Sequence, residues 1–215
     1  MKMPFLEIKS LSFCYEDTVL LRDFSCSFFP GTLTVILGPS GAGKSTLLRI
    51  IAGLEKNFEG TVTRSVDVRY LPQDEVLLPW KTVQENILLP VKPSTREFDP
   101  EICPLLPLYP DQLSGGQKQM VAFQRHLLEE GDLLLLDEPF SNVDAYIRLK
   151  LLRRLQASID SSKTAILVTH DFHDALKVAD RIVLIGRGGI QSSWERSEFA
   201  VLDLESAMRS CYENY

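Results

Sequence analysis

The stretch TLTVILGPSGAGKSTLLRIIAGL, residues 32–54, contains a predicted strand, a glycine-rich loop and a predicted helix in succession. Residues 32–37 are apolar or β-branched, which is typical of a strand buried on both faces. In residues 44–54 the apolar side chains recur on one helical face. A buried strand that leads through glycines into a helix indicates an α/β fold with a mostly parallel sheet.

The loop GPSGAGKST matches the pattern G-x-x-x-x-G-K-[ST], between a strand and a helix as that pattern requires. Glycines let backbone N–H groups wrap around phosphates at the positive end of the helix. Lys44 is expected to neutralise the β- and γ-phosphates of a nucleotide, and the Ser45 hydroxyl to bind Mg²⁺. The predicted nucleotide-binding residues of the loop are Gly38, Pro39, Ser40, Gly41, Ala42, Gly43, Lys44, Ser45 and Thr46.

A second motif, LLLLDEP at residues 133–139, places two carboxylates at the end of a predicted buried strand. The carboxyl ends of parallel strands form the ligand-binding edge of an open α/β sheet. Asp137 is therefore predicted to hold Mg²⁺ through water. Glu138 is predicted to orient or deprotonate the water that attacks the phosphate.

A third motif, LSGGQ at residues 113–117, opens a predicted helix. Two glycines at a helix start expose N–H donors that suit an anion, and a serine adds a hydroxyl. Because the chain already has one complete phosphate loop, this site must serve another phosphate or another molecule's nucleotide. Its predicted binding residues are Ser114, Gly115, Gly116 and Gln117.

The rest of the chain divides into three kinds of sequence. Apolar and polar residues alternate before residue 30, which predicts two or three antiparallel strands, and strand-like alternation returns over residues 61–71. Residues 79–110 hold seven of the twelve prolines, so only short helices fit there, the best beginning at a T-x-x-E capping box at Thr82. After Leu113 strands and helices alternate again, with a helix expected to stop at Gly131 and RIVLIG expected as the final strand.

Composition excludes several classes of protein. With 215 residues, 45% of them hydrophobic and 24% charged, the chain is an ordinary globular domain, not a disordered or fibrous protein. Its net charge of −6 disfavours binding to nucleic acid through bulk positive charge, so no nucleic-acid partner is expected. The four cysteines have no metal-like spacing and are expected to be reduced. No apolar run approaches the roughly 20 residues that span a bilayer, so we expect a soluble protein whose membrane role comes through a partner.

The phosphate loop, LSGGQ and LLLLDEP together resemble the ATP-binding cassette (ABC) ATPases, and the resemblance covers most of the chain. It implies a P-loop NTPase core with a mostly parallel sheet and a small N-terminal antiparallel β-lobe, formed by residues 1–72 and 113–215. It also implies an inserted helical lobe at residues 73–112. Both spacings that flank Gln73 are short for the family, so the β-lobe and the helical lobe are expected to be trimmed.

The resemblance assigns roles to residues outside the three motifs. Gln73 matches the glutamine that senses the γ-phosphate, ligates the metal and touches the membrane partner. His170 matches the switch histidine that contacts the γ-phosphate, and Asp144 matches the aspartate of a loop between the two subunits. Tyr15 matches the aromatic that stacks on adenine. Phe13 is the alternative, because a regular strand would put both on the same face.

The function implied is ATP hydrolysis by two cassettes that bind head to tail, each nucleotide held between one phosphate loop and the other LSGGQ. The segment VLLPWKTVQENILLP, residues 76–90, resembles importers of nitrate, sulfonates, taurine and thiamine precursors. That resemblance implies an integral membrane permease, an extracytoplasmic solute-binding protein and a peripheral position on the cytoplasmic face of the membrane. An ABC exporter and a soluble ABC ATPase in DNA repair or translation remain alternatives. A subunit that does not hydrolyse ATP is disfavoured, because the catalytic residues are all present.

Overall fold

The computed structural model describes residues 3–16, 18–74, 77–89, 98–129, 131–186, 189–199 and 201–213. The strands are β1 (Leu6–Tyr15), β2 (Thr18–Phe28), β3 (Leu33–Leu37), β4 (Glu59–Arg64), β5 (Val68–Leu71), β6 (Leu133–Asp137), β7 (Thr164–Val168), β8 (Arg181–Gly186) and β9 (Gly189–Glu195). The α-helices are α1 (Lys44–Ala52), α2 (Val83–Leu88), α3 (Gly115–Leu128), α4 (Ala145–Ser158), α5 (Phe172–Val178) and α6 (Val201–Glu213).

Two sheets organise these elements. The larger has six strands in the order β5-β6-β7-β3-β8-β9, in which the first five are parallel and β9 runs antiparallel to β8. The smaller has three antiparallel strands in the order β2-β1-β4. This confirms the predicted α/β class, with its mostly parallel sheet and antiparallel β-sheet at the N-terminus.

Alternation along the buried strands divides the core into two halves. In β6, Leu134 and Leu136 pack with α2, α3, α4 and α5 on one side of the large sheet. Leu133 and Leu135 pack on the other side, with α1 and the apolar face of the small sheet. A strand covered on both faces is apolar at most of its positions, which is why β3, β6 and β7 consist largely of leucine, isoleucine and valine. Packing on both faces of the large sheet holds the carboxyl ends of β3 and β6 in place, where the phosphate loop and the Asp137–Glu138 pair lie.

Several sequence predictions need correction. RIVLIG is not the final strand, because β9 follows it as an antiparallel partner. Helix α3 ends at Leu128 rather than at Gly131, since Glu129 is already extended with ψ 138°. Residues 61–71 hold parts of two strands that join different sheets, β4 in the small one and β5 in the large one.

The proline-rich segment forms a short helix where the sequence predicted it. Thr82 accepts a hydrogen bond from the Glu85 backbone N–H, and the Glu85 carboxylate accepts one from the Thr82 N–H, which is the expected capping box. Two ion pairs, Lys150–Glu101 and Arg154–Asp99, join α4 to the end of this segment. Residues 75–76 and 90–97, which include Pro90 and Pro93, lie outside the described part of the chain. The helical lobe at residues 73–112 therefore stays a prediction.

None of the helices in the described residues is both long enough and apolar enough to cross a membrane.

Candidate functional site

The glycine-rich loop turns sharply between β3 and α1. A Cβ atom built on Gly38, whose φ is +155°, would lie 2.1 Å from the carbonyl oxygen of Ile185. Gly43 precedes the first residue of α1 with φ 85°, a left-handed conformation that favours glycine. Both glycines are therefore required by the backbone path. That path brings the N-terminal end of α1 to the carboxyl edge of the sheet.

Lys44 folds back over this loop. Its Nζ donates hydrogen bonds of 2.8 Å to the carbonyl oxygens of both Gly38 and Pro39. Burial lowers the pKa of Lys44, and the nearby carboxylates of Glu138 and Asp137 oppose that shift. An ammonium group that is desolvated yet held by neutral carbonyls has a strong preference for an anionic partner.

Asp137 receives two hydroxyl hydrogen bonds. Ser45 Oγ donates to Asp137 Oδ1 at 2.9 Å, and Tyr70 Oη donates to Asp137 Oδ2 at 3.2 Å. Burial raises the pKa of this carboxyl group, and the two hydrogen bonds act in the opposite direction. Tyr70 in turn has its pKa raised, first by burial and then by the adjacent Asp137.

The oxygens around Asp137 fit a magnesium ion. Mg²⁺ prefers hard oxygen ligands and is usually held by one or two protein groups together with waters and substrate phosphates. Ser45 and Asp137 supply such oxygens side by side, and the Asp137 carboxylate would gain from a nearby positive charge because it is buried. The described residues contain no group of three or more His, Cys, Asp or Glu able to hold a metal.

Glu138 and His170 form a second polar pair beside Asp137. His170 Nδ1 lies 3.0 Å from Glu138 Oε2, with the carboxylate side chain 18% exposed and the imidazole 61% exposed. Glu138 has φ 45°, a strained backbone conformation for a residue with a side chain. Its N–H donates to the Val168 carbonyl, which anchors the turn to β7. The partly open histidine can contact a ligand while the carboxylate stays sheltered.

These groups share one cleft. Its volume is about 440 Å³, and its lining consists of Leu20, Ser40, Gly41, Gly43, Lys44, Ser45, Thr46, Gln73, Glu138 and His170. Three of the predicted loop residues, Gly38, Pro39 and Ala42, are buried and do not line this cleft. The fold thus assembles the phosphate loop, Gln73, Glu138 and His170 around one space, although they lie far apart in sequence.

The LSGGQ residues lie in a different place. They line a shallow cleft of about 580 Å³ formed by Ser114, Gly115, Gly116, Gln117, Met120, Asn142, Val143, Asp144 and Ile147. In the part of the chain that the structure describes, no residue lines both this cleft and the first. The structure therefore brings Asp144 to the LSGGQ motif but keeps both away from the phosphate loop of the same chain.

The start of α3 carries a capping box made by its own side chains. The Ser114 hydroxyl accepts from the Gln117 N–H, and the Gln117 side chain accepts from the Ser114 N–H, a complete capping box. A Cβ atom on Gly116 would lie 2.7 Å from the Asn142 carbonyl oxygen, so Gly116 is needed for close packing. No described atom lies within 4 Å of a Cβ built on Gly115, which faces open space.

The two aromatic candidates for adenine stacking differ in their exposure to solvent. Tyr15 is 66% exposed at the end of β1, whereas Phe13 is 6% exposed and packs in the core. A register shift between Phe13 and Cys14 interrupts the regular alternation that had put both on one face. Tyr15 is accessible to a ligand and Phe13 is not, although Tyr15 does not line either cleft.

Sequence reasoning missed several side chains that shape the site. Tyr70 holds Asp137 and Leu20 lines the first cleft, although the sequence marks neither as more than a strand residue. The Gln119 side chain hydrogen-bonds Ser141 Oγ and the Asn142 N–H, which ties α3 to the loop before α4. Each of these contacts depends on tertiary pairing that no local motif encodes.

Comparisons with known proteins agree with this geometry. Residues 21–141 match the family model described as ABC transporter. The chain is 38% identical over 197 residues to the aliphatic sulfonates import ATP-binding protein SsuB 1 of Rhodococcus jostii, covering 86% of this chain and 80% of that protein. It is 37% identical over 214 residues to the sulfate/thiosulfate import ATP-binding protein CysA of Pectobacterium atrosepticum, covering 86% and 65%.

Two further matches show how much of a relative's length this chain covers and how closely its fold agrees with a solved structure. A second SsuB 1, from Paraburkholderia xenovorans, is 40% identical over 200 residues, and the match spans only 58% of its length. A chain from a metal-chelate type ABC transporter in an inward-facing conformation superposes with a TM-score of 0.79, covering 97% of this chain and 90% of that one. At 20% identity this last match shows the fold alone.

Proposed function

The chain belongs to the ABC transporter family as an ATP-binding ATPase, and from that premise we propose that it powers solute uptake through a separate membrane permease. One observation carries the proposal. The phosphate loop and the acid-base groups share one cleft, while LSGGQ and Asp144 share another. A chain built in this way has one complete phosphate-binding cleft and one surface that can only complement a second molecule.

In the first cleft, the loop residues Gly38 to Thr46 hold the nucleotide phosphates through backbone N–H groups. Lys44 Nζ exchanges its two carbonyl partners for phosphate oxygens, an exchange favoured because a charge-assisted hydrogen bond is stronger than a neutral one. Tyr15, exposed at the end of β1, stacks on the adenine ring.

Ser45, Asp137 and Gln73 are the proposed protein ligands of a magnesium ion. Tyr70 keeps one Asp137 oxygen occupied, so that the other faces Ser45. When bound, the ion neutralises the charge that develops on the phosphate oxygens.

Glu138 orients the attacking water and accepts its proton. Its carboxylate stands next to the phosphate loop and is sheltered, which suits a group that must remain an available base. His170 holds that carboxylate through Nδ1, and its exposed ring reaches towards the γ-phosphate. Proton acceptance and phosphate contact thus fall on two neighbouring side chains.

Two copies of the chain bind head to tail. Among the described residues, no cationic side chain lines the second cleft, and one of its lining residues is Asp144, so it has little affinity for a triphosphate alone. Ser114, Gly115, Gly116 and Gln117 instead contact a nucleotide already held by the partner subunit's phosphate loop. ATP then joins the two cassettes, and its hydrolysis lets them separate.

The transported solute is proposed to be a sulfonate or a sulfate-like oxyanion, the classes named in the relatives' descriptions. The residue 73–112 segment is the proposed docking surface for the permease, with Gln73 at its start linking the nucleotide to that contact. An extracytoplasmic solute-binding protein delivers the solute, and the cassette pair sits on the cytoplasmic face of the membrane.

The variant Glu138→Gln tests the catalytic part of the proposal. It keeps the size and hydrogen-bonding capacity of the side chain but removes the base, so ATP hydrolysis should fall by roughly 10²- to 10⁴-fold. ATP binding should persist, and light scattering should find the variant as a dimer with ATP and a monomer without it. A persistent monomer with bound ATP would contradict the head-to-tail arrangement.

The transport part is tested by isolating the tagged chain from detergent-solubilised native membranes and identifying its companions by mass spectrometry. A multi-spanning subunit together with a solute-binding protein is the expected result. A membrane subunit alone would favour export. Purely soluble companions, such as ribosomal or repair proteins, would refute transport while leaving the ATPase chemistry intact.

A further inference from the structure

A third cleft lies at the edge of the large sheet opposite the phosphate loop. It separates β1 and β2 of the small sheet from the β8–β9 hairpin, and its volume is about 440 Å³. Arg181, the first residue of β8, and Glu195, the last residue of β9, are paired in register at this edge. Ile8 and Phe29 contribute apolar surface to the wall. Since β8 runs parallel to β3, this is the amino edge, whereas the phosphate loop follows the carboxyl end of β3.

The charged side chains of this third cleft form two ion pairs. Lys9 Nζ lies 2.8 Å from Glu7 Oε2, and Arg181 Nε lies 3.4 Å from Glu195 Oε1. All four side chains line the cleft, and among the described lining residues they are the charged ones. Their formal charges cancel, so the cleft offers both a cation and an anion to a ligand without a net charge of its own.

Arg181 has one donor that is buried and unused. Its Nη1 donates a hydrogen bond of 2.8 Å to the Ser27 carbonyl oxygen, which fixes the guanidinium group against β2. Its Nε is buried and donates no hydrogen bond to a described residue, although Glu195 Oε1 is only 3.4 Å away. A buried donor without an acceptor costs free energy. An oxyanion placed in the cleft would supply the missing acceptor.

The surroundings of Arg181 determine which oxyanion suits the cleft. The Glu195 side chain is 60% exposed and can change rotamer, whereas the Arg181 side chain is 18% exposed and held by Ser27. An oxyanion at Arg181 Nε would lie next to the Glu195 carboxylate, and like charges in such proximity repel each other. An ammonium group on the same ligand turns that repulsion into attraction. A ligand with only a positive charge would leave the Arg181 donor unused.

We propose that the third cleft binds a small zwitterion, with its acidic oxyanion against Arg181 Nε and its ammonium group against Glu195. The carbon chain between the two charges lies on Ile8 and Phe29. The volume of about 440 Å³ falls in the usual range for small-molecule sites. An amino acid and an aminosulfonate share this chemistry. Among the described residues, none lines both this cleft and either of the other two, so the inference goes beyond the proposed function.

The test titrates the ¹⁵N-labelled full chain with taurine and follows the Arg181 Nε–H signal by NMR. Taurine carries both charges, isethionate has a hydroxyl in place of the ammonium, and ethanolamine has a hydroxyl in place of the sulfonate. Taurine should shift the Arg181 signal and bind about tenfold more tightly than either matched compound, because each of those lacks one charge-assisted contact. Equal affinities for the three compounds would overturn the proposal.

A second titration identifies the acidic group. β-Alanine has a carboxylate where taurine has a sulfonate, and the two compounds are otherwise closely matched. Tighter binding of β-alanine would assign the cleft to amino acids, and tighter binding of taurine would assign it to aminosulfonates. If neither compound binds more tightly than isethionate and ethanolamine, the cleft is not a zwitterion site.

The variant Glu195→Gln separates recognition from damage to the fold. It keeps the size of an exposed side chain but removes the partner of the ammonium, so the preference should reverse and isethionate should bind more tightly than taurine. A disturbed fold would weaken both ligands without reversing their order. Glu101→Gln, which removes the partner of Lys150 outside the cleft, is the matched control and should leave both affinities unchanged. An unchanged preference in Glu195→Gln would refute the assignment.

A competition experiment distinguishes this cleft from the phosphate cleft. Calorimetric titration with taurine is repeated in the presence of a saturating non-hydrolysable ATP analogue. Because the two clefts lie at opposite edges of the sheet, the taurine affinity should change less than twofold. Loss of taurine binding would place the ligand at the phosphate loop and overturn the proposal. A chain that binds taurine in this way but does not hydrolyse ATP would refute the proposed function alone.

Discussion

The starts of α1 and α3 use the same physical device for different purposes. Each is a helix N-terminus reached through glycines, where unpaired N–H groups attract an anion. At α1 the preceding residue is Gly43, which has no side chain to cap the helix, and Lys44 lies ready over the loop. At α3 Ser114 and Gln117 cap each other, and none of the described residues that line the surrounding cleft is basic.

The difference shows why a helix start alone does not make a nucleotide site. At α1 the buried Lys44 ammonium lies near Asp137 and Glu138 at the end of β6 and near His170 after β7, so this region can bind phosphate and act on it. The α3 region offers donors without charge, which in the proposed head-to-tail pair would meet a nucleotide that the partner already holds. Three sets of variants test this contrast, in decreasing order of expected effect.

The largest contrast is between Lys44→Ala and Ser114→Ala. Removing the Lys44 ammonium should weaken ATP binding to the monomer by about 1.5–3 kcal/mol, the range for a hydrogen bond to a charged group. Ser114→Ala should leave that affinity unchanged and instead weaken ATP-driven dimerisation. Titration with a fluorescent ATP analogue, followed by light scattering, measures both. Equal losses of monomer affinity would show that the two helix starts are not distinct in function.

A smaller contrast lies within LSGGQ itself, between its two glycines. Gly116→Ala should destabilise the fold by about 1–3 kcal/mol, because the new Cβ clashes with the Asn142 carbonyl. Gly115→Ala should leave the free energy of unfolding unchanged or raise it by up to about 1 kcal/mol, since alanine favours a helix. Urea denaturation distinguishes these cases. Normal dimerisation of Gly115→Ala would show that Gly115 is not at the nucleotide contact.

The smallest effect concerns the stability of the nucleotide-free chain. Burial raises the pKa of Asp137 above its ordinary 3.8, so the folded chain keeps this proton to higher pH than the unfolded chain. The stability from this group is therefore present at low pH and decreases as pH rises through the folded pKa. Asp137→Asn should raise the thermal midpoint at pH 7 by roughly 2–4 °C, for about 1 kcal/mol.

That gain should shrink as the pH is lowered through the folded pKa of Asp137, because the parent carboxyl group then also becomes neutral. Calorimetry at several pH values follows the difference between parent and variant. A parent more stable than Asp137→Asn at pH 7 would mean that the Ser45 and Tyr70 hydrogen bonds outweigh the cost of burial.

Sequence alone predicted the elements whose signals are local. The phosphate loop, the apolar run of β6 and the Thr82 capping box are each encoded within a few residues, and the structure has all three elements there. The predicted roles of individual residues remain predictions, but the shared cleft of Lys44, Gln73, Glu138 and His170 agrees with them.

Apart from the end of α3, the predictions that failed depended on contacts between distant segments. The register shift in β1 that separates Phe13 from Tyr15 arises from pairing with β2, and period-2 alternation cannot reveal it. Strand β9 exists because β8 offers it an antiparallel edge. Tyr70 and Arg181 sit in ordinary strand sequence, and only their partners across the fold give them significance.

The capping box at Ser114 and Gln117 has a kinetic consequence. Because Ser114 and Gln117 cap each other, the first turn of α3 is ordered in the single chain. In the proposed head-to-tail pair, association would carry little cost in ordering this segment, which would favour rapid closure around a bound nucleotide. Dissociation would be equally simple, since the turn would keep its structure when the nucleotide contact is lost. A surface made in this way suits repeated cycles of joining and release.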